Sequence, residues 1–506
     1  MTFYLPSTLD LDAIIAQNPV PFKPFEVDKL AYLLHKISSI PATNKNLDIV
    51  DDYVPLYSKA LQDVIANYRQ YLDYAIAVGI LESSERYRVD VYSKSFRFTA
   101  AYQVKLVAYT PTYYCLLQNL NRYRARQKKT VIKHDYLTKW FNSKLKIDYK
   151  KVDAFLDDEW QLKNENEHLC NWDASRQKFK SPYQQQLCSK LAAEYLTRGE
   201  YNLKIDDNVH RFHSNLTNMR GLVRNALTYD GQKLVAVDIK NSQPYFSLLL
   251  LQENFWKVDS NRKSDLFLLN TSKKTSKKVE PRNLLPSLPQ ISKPFHTYKA
   301  LTINNIKHNI NQSSIIMLGE TMVRLINKGL KEDKNRFVDL VVAGKLYEYL
   351  ETAFKLDLKM QDVTRDTAKI AVLQAFFSDN RFIGTREAEP KKLFSDLFPS
   401  VYKVYATIKQ KDKKRLAILL QNIESHFIIE VIARRIAKEH PKLPIYTIHD
   451  SIVTTVGNEE LVASIMTDEL RKGVGKAPSL KLEYWKPELI DEHLLQLQIK
   501  AGLKSA

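Results

Sequence analysis

Two short apolar runs, each ending in an aspartate, constrain this chain more than any other feature. In "GQKLVAVDIKNSQPYF" the run Leu234 to Val237 leads into Asp238, and in "IYTIHDSIVTT" the pair His449-Asp450 stands where a buried strand would turn. Such runs read as buried strands. A carboxylate at the end of one is costly unless it is paired or bound to a cation. Alone, either acid reads as a cap or turn residue. Together, in strands of one sheet, they can share divalent cations, and their hard oxygens suit Mg²⁺, with Mn²⁺ as a substitute. Two such ions, about 3.5–4 Å apart, stabilise the attacking and leaving oxygens of an in-line displacement.

Between the two runs lies "RDTAKIAVLQAFFSDN". On a helix Arg365 and Lys369 fall at i and i+4, Leu373 and Phe376 continue their face, and Phe377 lies at its margin. Two cations and an aromatic patch in one stripe fit a triphosphate with its base or sugar. The plainer reading is a core stripe with two solvated basic residues.

Charge supplies the partner. The 506 residues carry 76 Lys and Arg against 57 Asp and Glu, a formal +19 with pI near 9.4, and 28 Tyr are available for stacking. This balance favours nucleic acid, with a membrane surface second. No apolar stretch reaches the roughly 18–20 residues of a membrane span, and the opening "MTFYLPSTLD" lacks the pattern of a signal peptide. A monomer in the cytoplasm is expected. Cys115, Cys170 and Cys188 are too widely spaced for a zinc site or a disulfide framework. The absence of G-x-x-x-x-G-K-[ST] leaves a P-loop ATPase without support.

Residues 1–105 read as a winged-helix-like module, with a helix stopped near Gly79 and two β segments after it. Residues 106–205 read as mainly helical and include "RYRARQKKTVIKH", with six basic residues and no acid over 122–134. Near Tyr113 and Tyr114, that run suits a phosphate track with stacking rings. Residues 261–283 hold seven basic and two acidic residues and read as a mobile basic insertion.

The order aspartate strand, R-x-x-x-K helix, H-D hairpin resembles the three polymerase motifs of family A DNA polymerases and phage-type single-subunit RNA polymerases. Phe377 stands eight positions after Lys369, where those families place an aromatic residue. "HRFHSNLTNM" and "LAILLQNIESHFIIEVIARRI" extend the likeness over about residues 205–470, and "DIKNSQP" with "LQNIES" looks most like the transposon- and virus-associated branch. The resemblance implies an α+β right-hand fold: a thumb-like 106–205, palm at 206–250 and 400–506, and fingers at 251–399. It implies Asp238, Asp450 and the Ile239 backbone as metal ligands, with Arg365 and Lys369 on the triphosphate. His449 would sit at the primer terminus, Arg211 in the minor groove, Gln421 on the duplex, and Phe377, Leu373 and Gln243 around the incoming nucleotide. The partners implied are a nucleic-acid template, a primer or product duplex, and nucleoside triphosphates.

Two departures bear on the sugar: Gln243 stands where DNA polymerases of family A carry Glu, and Phe377-Ser378 where they carry Tyr-Gly. The product is therefore DNA or RNA, with primase, DNA polymerase and DNA-dependent RNA polymerase as the choices. A replication initiator that binds DNA without catalysis is the non-enzymatic alternative. An HD-type phosphohydrolase would need His449-Asp450 on a helix, whereas Pro441, Pro444 and the β-branched neighbours indicate a strand. Asp157-x-Glu159 is too weak a match, in too short a space, for a proofreading exonuclease.

Overall fold

The computed structural model describes residues 1–44, 47, 49–84, 93–128, 134–173, 178–257, 312–327, 332–358 and 363–503. The strand ending in the first aspartate, Gln232–Ile239, is central to a six-stranded sheet. It starts from the two-residue turn Asp230-Gly231, at φ +52° and +77°, the left-handed backbone that suits a right-twisted hairpin. The turn pairs it with Leu227–Tyr229, which pairs onward with Leu145–Ile147. Along one edge Leu234 to Asp238 pairs antiparallel with Ser451–Thr455, whose hairpin partner is Ile445–Ile448. Along the other, Val235 to Ile239 pairs antiparallel with Leu480–Tyr484. Leu234, Val235, Ala236 and Val237 are all buried. The run is continuous, not alternating, because both faces of the strand are covered.

Helices Glu459–Val474 and Arg415–Glu439 pack on this sheet. The second is α-helical over Arg415–Ser425, π-helical over His426–Ala433 and α-helical again over Arg434–Glu439. The extra residue per turn of a π segment rotates the later turns of the helix relative to the earlier ones. Asn422, Glu424 and Ser425 turn polar groups toward residues 208–211, while Leu416, Leu419, Leu420 and Ile423 before the π segment and Phe427, Ile428, Ile429 and Ile432 within it all enter the core. By length and composition this is the one helix among the described residues that could cross a membrane, and 67% of its most apolar window is buried inside the protein. Packing is tight here: a Cβ at Gly473 would stand 2.2 Å from Phe427 Cε1.

Between the two halves of the sheet in sequence come helices Glu332–Val342, Leu346–Leu358, Arg365–Phe377, Glu389–Leu397 and Pro399–Lys409. Phe337 packs edge-on against Phe394, Phe398 and Tyr405, joining this layer to the main core. The expected basic insertion 261–283 lies outside the described residues.

The N-terminal module has its own core, built around helices Val27–Thr43 and Tyr68–Ala77. The expected helix is followed by two β segments. Gly79 turns the chain at φ +75°, and Leu81–Ser83 pairs with Ser95–Phe98, which also pairs with Val54–Pro55. The expected boundary at residue 105 falls inside this core. Phe3–Pro6 pairs with Leu106–Tyr109, and Leu116 and Leu120 of helix Tyr114–Lys128 are buried in it. Much of the rest of 106–205 packs with the sheet, to which it gives Leu145–Ile147 and the buried Val152, Phe155, Leu156 and Leu196, while Leu191 and Tyr195 pack against Tyr4 and Ala42 of the N-terminal module. A mainly helical reading of 106–205 carries no information about which core each helix faces.

Candidate active site

Register brings the two acids together. Asp238 pairs with Ser451, so Asp450 stands one residue beyond it, in the hairpin turn. His449, half-buried in that turn, takes φ +55°, a left-handed conformation that two-residue hairpins favour and that costs a residue with a Cβ. Asn241, also at φ +55°, leads the chain from Asp238 into helix Ser242–Ser247. Burial, then the Asp450 charge, push Asp238 up to about 7, with Glu483 and Glu424 adding and Lys481 opposing. Asp450 is also raised, chiefly by burial, while a hydrogen bond from Ser242 favours its charged form.

The sheet's alternation fixes the Ile239 backbone. The Lys233 carbonyl accepts from Val456 N–H at 2.9 Å on one edge, and the Leu234 carbonyl accepts from Trp485 N–H at 2.9 Å on the other. Odd-numbered residues thus turn their backbone groups toward the Asp450 hairpin. The Ile239 carbonyl faces that edge just past the last pairing. Among the described residues no group of three or more His, Cys, Asp or Glu is arranged to hold a metal ion, so any cation here rests on two carboxylates completed by backbone or substrate oxygens.

A third carboxylate, which sequence reasoning missed, stands behind these two. Glu424 is 1% exposed. Arg211 donates to its Oε1 through Nε at 2.9 Å and Nη2 at 2.6 Å, and the Gln243 amide donates to its Oε2. Burial pushes Glu424 up to about 7; the Arg211 charge opposes this and the Asp450 charge adds to it. The Arg211 loop is tied to the same helix, because Asn422 Nδ2 donates to the Asn208 carbonyl at 3.2 Å and Ser425 Oγ to the Val209 carbonyl at 2.8 Å. Gln421 is half-buried one turn earlier. The available signal was an acid set within an apolar helical run.

On the helical side, Arg365 opens its helix and donates through Nε to Glu348 Oε1 at 3.1 Å, with its guanidinium 5.2 Å from the Tyr347 ring centre. Burial pushes the Tyr347 hydroxyl up to about 12, the Arg365 charge opposing and the Asp450 charge adding. Tyr347, also missed in sequence, therefore stands near both Arg365 and Asp450. Lys369 and Leu373 are exposed on the same helix and Phe377 is half-buried. One expectation is corrected: Phe376 does not continue the exposed stripe. It is fully buried, its ring 4.9 Å from that of Tyr405, because helix Pro399–Lys409 covers the last turn of Arg365–Phe377.

Glu159 of the D-x-E triplet is structural. It is buried between Lys163 Nζ at 2.9 Å and Arg220 Nη1 at 2.6 Å, with His493 at 3.6 Å.

No protein-family model and no curated protein matches the chain. Among solved structures it is similar to the POL domain of Pol1 from M. smegmatis, in complex with DNA primer-template and dNTP, at a TM-score of 0.31 and 11% identity over 74% of each chain. That likeness is to a polymerase domain, and it is distant.

Proposed function

We propose that the chain is a template-directed nucleotidyltransferase, a DNA polymerase or primase-like polymerase of a virus or mobile element. The observation that carries this reading is the juxtaposition of Asp238 and Asp450 at one end of a buried sheet, where burial and then the Asp450 charge push Asp238 up. In this reading the sheet is the palm, the helices from Glu332 to Leu397 the fingers, and the helices before residue 205 the thumb side.

The residues fit a pair of Mg²⁺ or Mn²⁺ ions. Two desolvated, mutually repelling carboxylates beside the Ile239 carbonyl form a hard-oxygen set with an unmet need for positive charge. When bound, such ions supply charge neutralisation at the α-phosphate and the departing pyrophosphate. The chain's own residues do the rest. Lys369 and Arg365 offset the triphosphate charge from the exposed stripe, and Arg365 would leave Glu348 to do so. Phe377 and Leu373 give the base an apolar surface. Glu424, fixed by Arg211 and Gln243, forms a rigid floor behind the two aspartates. His449 would meet the primer terminus and Gln421 the duplex.

The test is incorporation by the purified full chain on single-stranded template, with Mg²⁺ and labelled NTPs or dNTPs, with and without primer. Asp238→Asn or Asp450→Asn should abolish incorporation while leaving template binding intact. Near-normal synthesis by either variant would remove the reading.

A further inference from the structure

Away from the aspartates, a cavity of about 840 Å³ opens where the N-terminal module meets the rest of the chain, within the roughly 300–1,000 Å³ range of ligand pockets. One wall comes from helix Val27–Thr43, with Tyr32 and Lys36, and from helix Tyr114–Lys128, with Tyr123 and Arg124. The other is the segment Gly199 to Lys204, just after helix Pro182–Thr197.

That second wall is pre-formed. Asn202 N–H donates to Asn215 Oδ1 at 2.8 Å, Asn215 Nδ2 donates to the Glu200 carbonyl at 3.1 Å, and the Tyr201 hydroxyl donates to the Asn142 carbonyl at 2.8 Å.

The charges do not balance. Lys36, Arg124 and Lys204 line the cavity against one acid, Glu200, which reaches Arg124 only at 3.6 Å. Among the described residues no carboxylate lies within ion-pair distance of Lys36; its ammonium instead sits 5.1 Å from the centre of the Tyr32 ring. Burial and the Arg124 charge push that ammonium down to about 8, the mark of a cation without its counter-ion. His35 does not help, because burial holds it neutral and Tyr4 N–H donates to its Nδ1 at 3.1 Å.

We propose that this cavity binds a nucleoside phosphate, either a free nucleotide or the terminal nucleotide of a single strand. Lys36 and Arg124 would take the phosphate, and the Tyr32 and Tyr123 rings would line the base's side of the cavity. The anion would satisfy the two cations, and the aromatic wall would select a base-bearing phosphate over inorganic phosphate. The site shares no residue with the Asp238 and Asp450 site.

The experiment is a binding titration of the full chain without divalent cation, using ATP, inorganic phosphate, and a short single-stranded oligonucleotide with either a 5′-phosphate or a 5′-hydroxyl. Lys36→Gln and Arg124→Gln should each weaken binding of ATP or of the 5′-phosphorylated strand by about tenfold or more, and Asp450→Asn should leave it unchanged. Loss for ATP alone identifies a free nucleotide; loss for the phosphorylated strand alone identifies a strand end. Equal affinity of wild type and both variants for every probe would overturn the proposal. On wild-type protein, pyridoxal phosphate with borohydride should label Lys36, and ATP or the phosphorylated strand should protect it. Labelling of Lys36 that neither probe reduces would also overturn the proposal, whatever the folding of the variants.

Discussion

A carboxylate with a raised folded-state pKa binds more protons folded than unfolded between its two pKa values. Asp238, near 3.9 when unfolded and about 7 when folded, therefore costs the metal-free protein stability as pH rises from about 4 to about 7. Asp238→Asn removes that slope. In thermal melts with EDTA the variant should gain on wild type between about pH 5 and pH 8, on the order of 1–3 kcal/mol. A difference independent of pH would mean that burial and the Asp450 charge do not hold Asp238 protonated. The sugar preference turns on Glu424 as well as Gln243. Gln243→Glu alone sets a second buried carboxylate against Glu424 and should lower incorporation of all nucleotides. Adding Glu424→Gln restores an amide-carboxylate pair with the charge moved to position 243, and should raise the kcat/KM ratio of dNTP to NTP by about tenfold or more, against a wild-type ratio within about a hundredfold. A double variant with the wild-type ratio would show that neither residue meets the sugar. The two aspartates were legible because each ends its own apolar run. Glu424 was not, because its partners Arg211 and Gln243 lie 213 and 181 positions away.

Among the elements, periodicity identified helix Arg365–Phe377 and its exposed Lys369 and Leu373, yet placed Phe376 on the wrong face. Helical spacing describes one cylinder, whereas Tyr405 arrives from another. Gly473, in helix Glu459–Val474, is likewise a point of contact with another element, the π segment. Gly473→Ala gains about 1 kcal/mol of helix propensity and incurs an overpacking cost of roughly 1–3 kcal/mol. Because the methyl would meet a buried ring, a net loss of about 1 kcal/mol is expected in urea melts. A midpoint equal to or above wild type would show that the two helices part without cost.

For the molecule as a whole, charge was the legible quantity and the boundaries were not. A formal +19 predicts that template binding weakens more than tenfold between about 50 and 200 mM salt; a change of tenfold or less in a filter-binding titration would argue against an extended phosphate track. The break expected at residue 105 failed because two-stranded pairing between Phe3–Pro6 and Leu106–Tyr109 closes a loop that local patterns cannot reveal. The order in which the sheet's parts emerge from a ribosome adds a hazard of its own. Both long neighbours of the Asp238 strand, Ser451–Thr455 and Leu480–Tyr484, are more than 200 residues downstream. At roughly 5–20 residues per second the nascent strand waits about 10–40 s with both edges open. Throughout that interval this apolar strand is a template for the wrong partner, so the two aspartates meet only after a long and exposed wait.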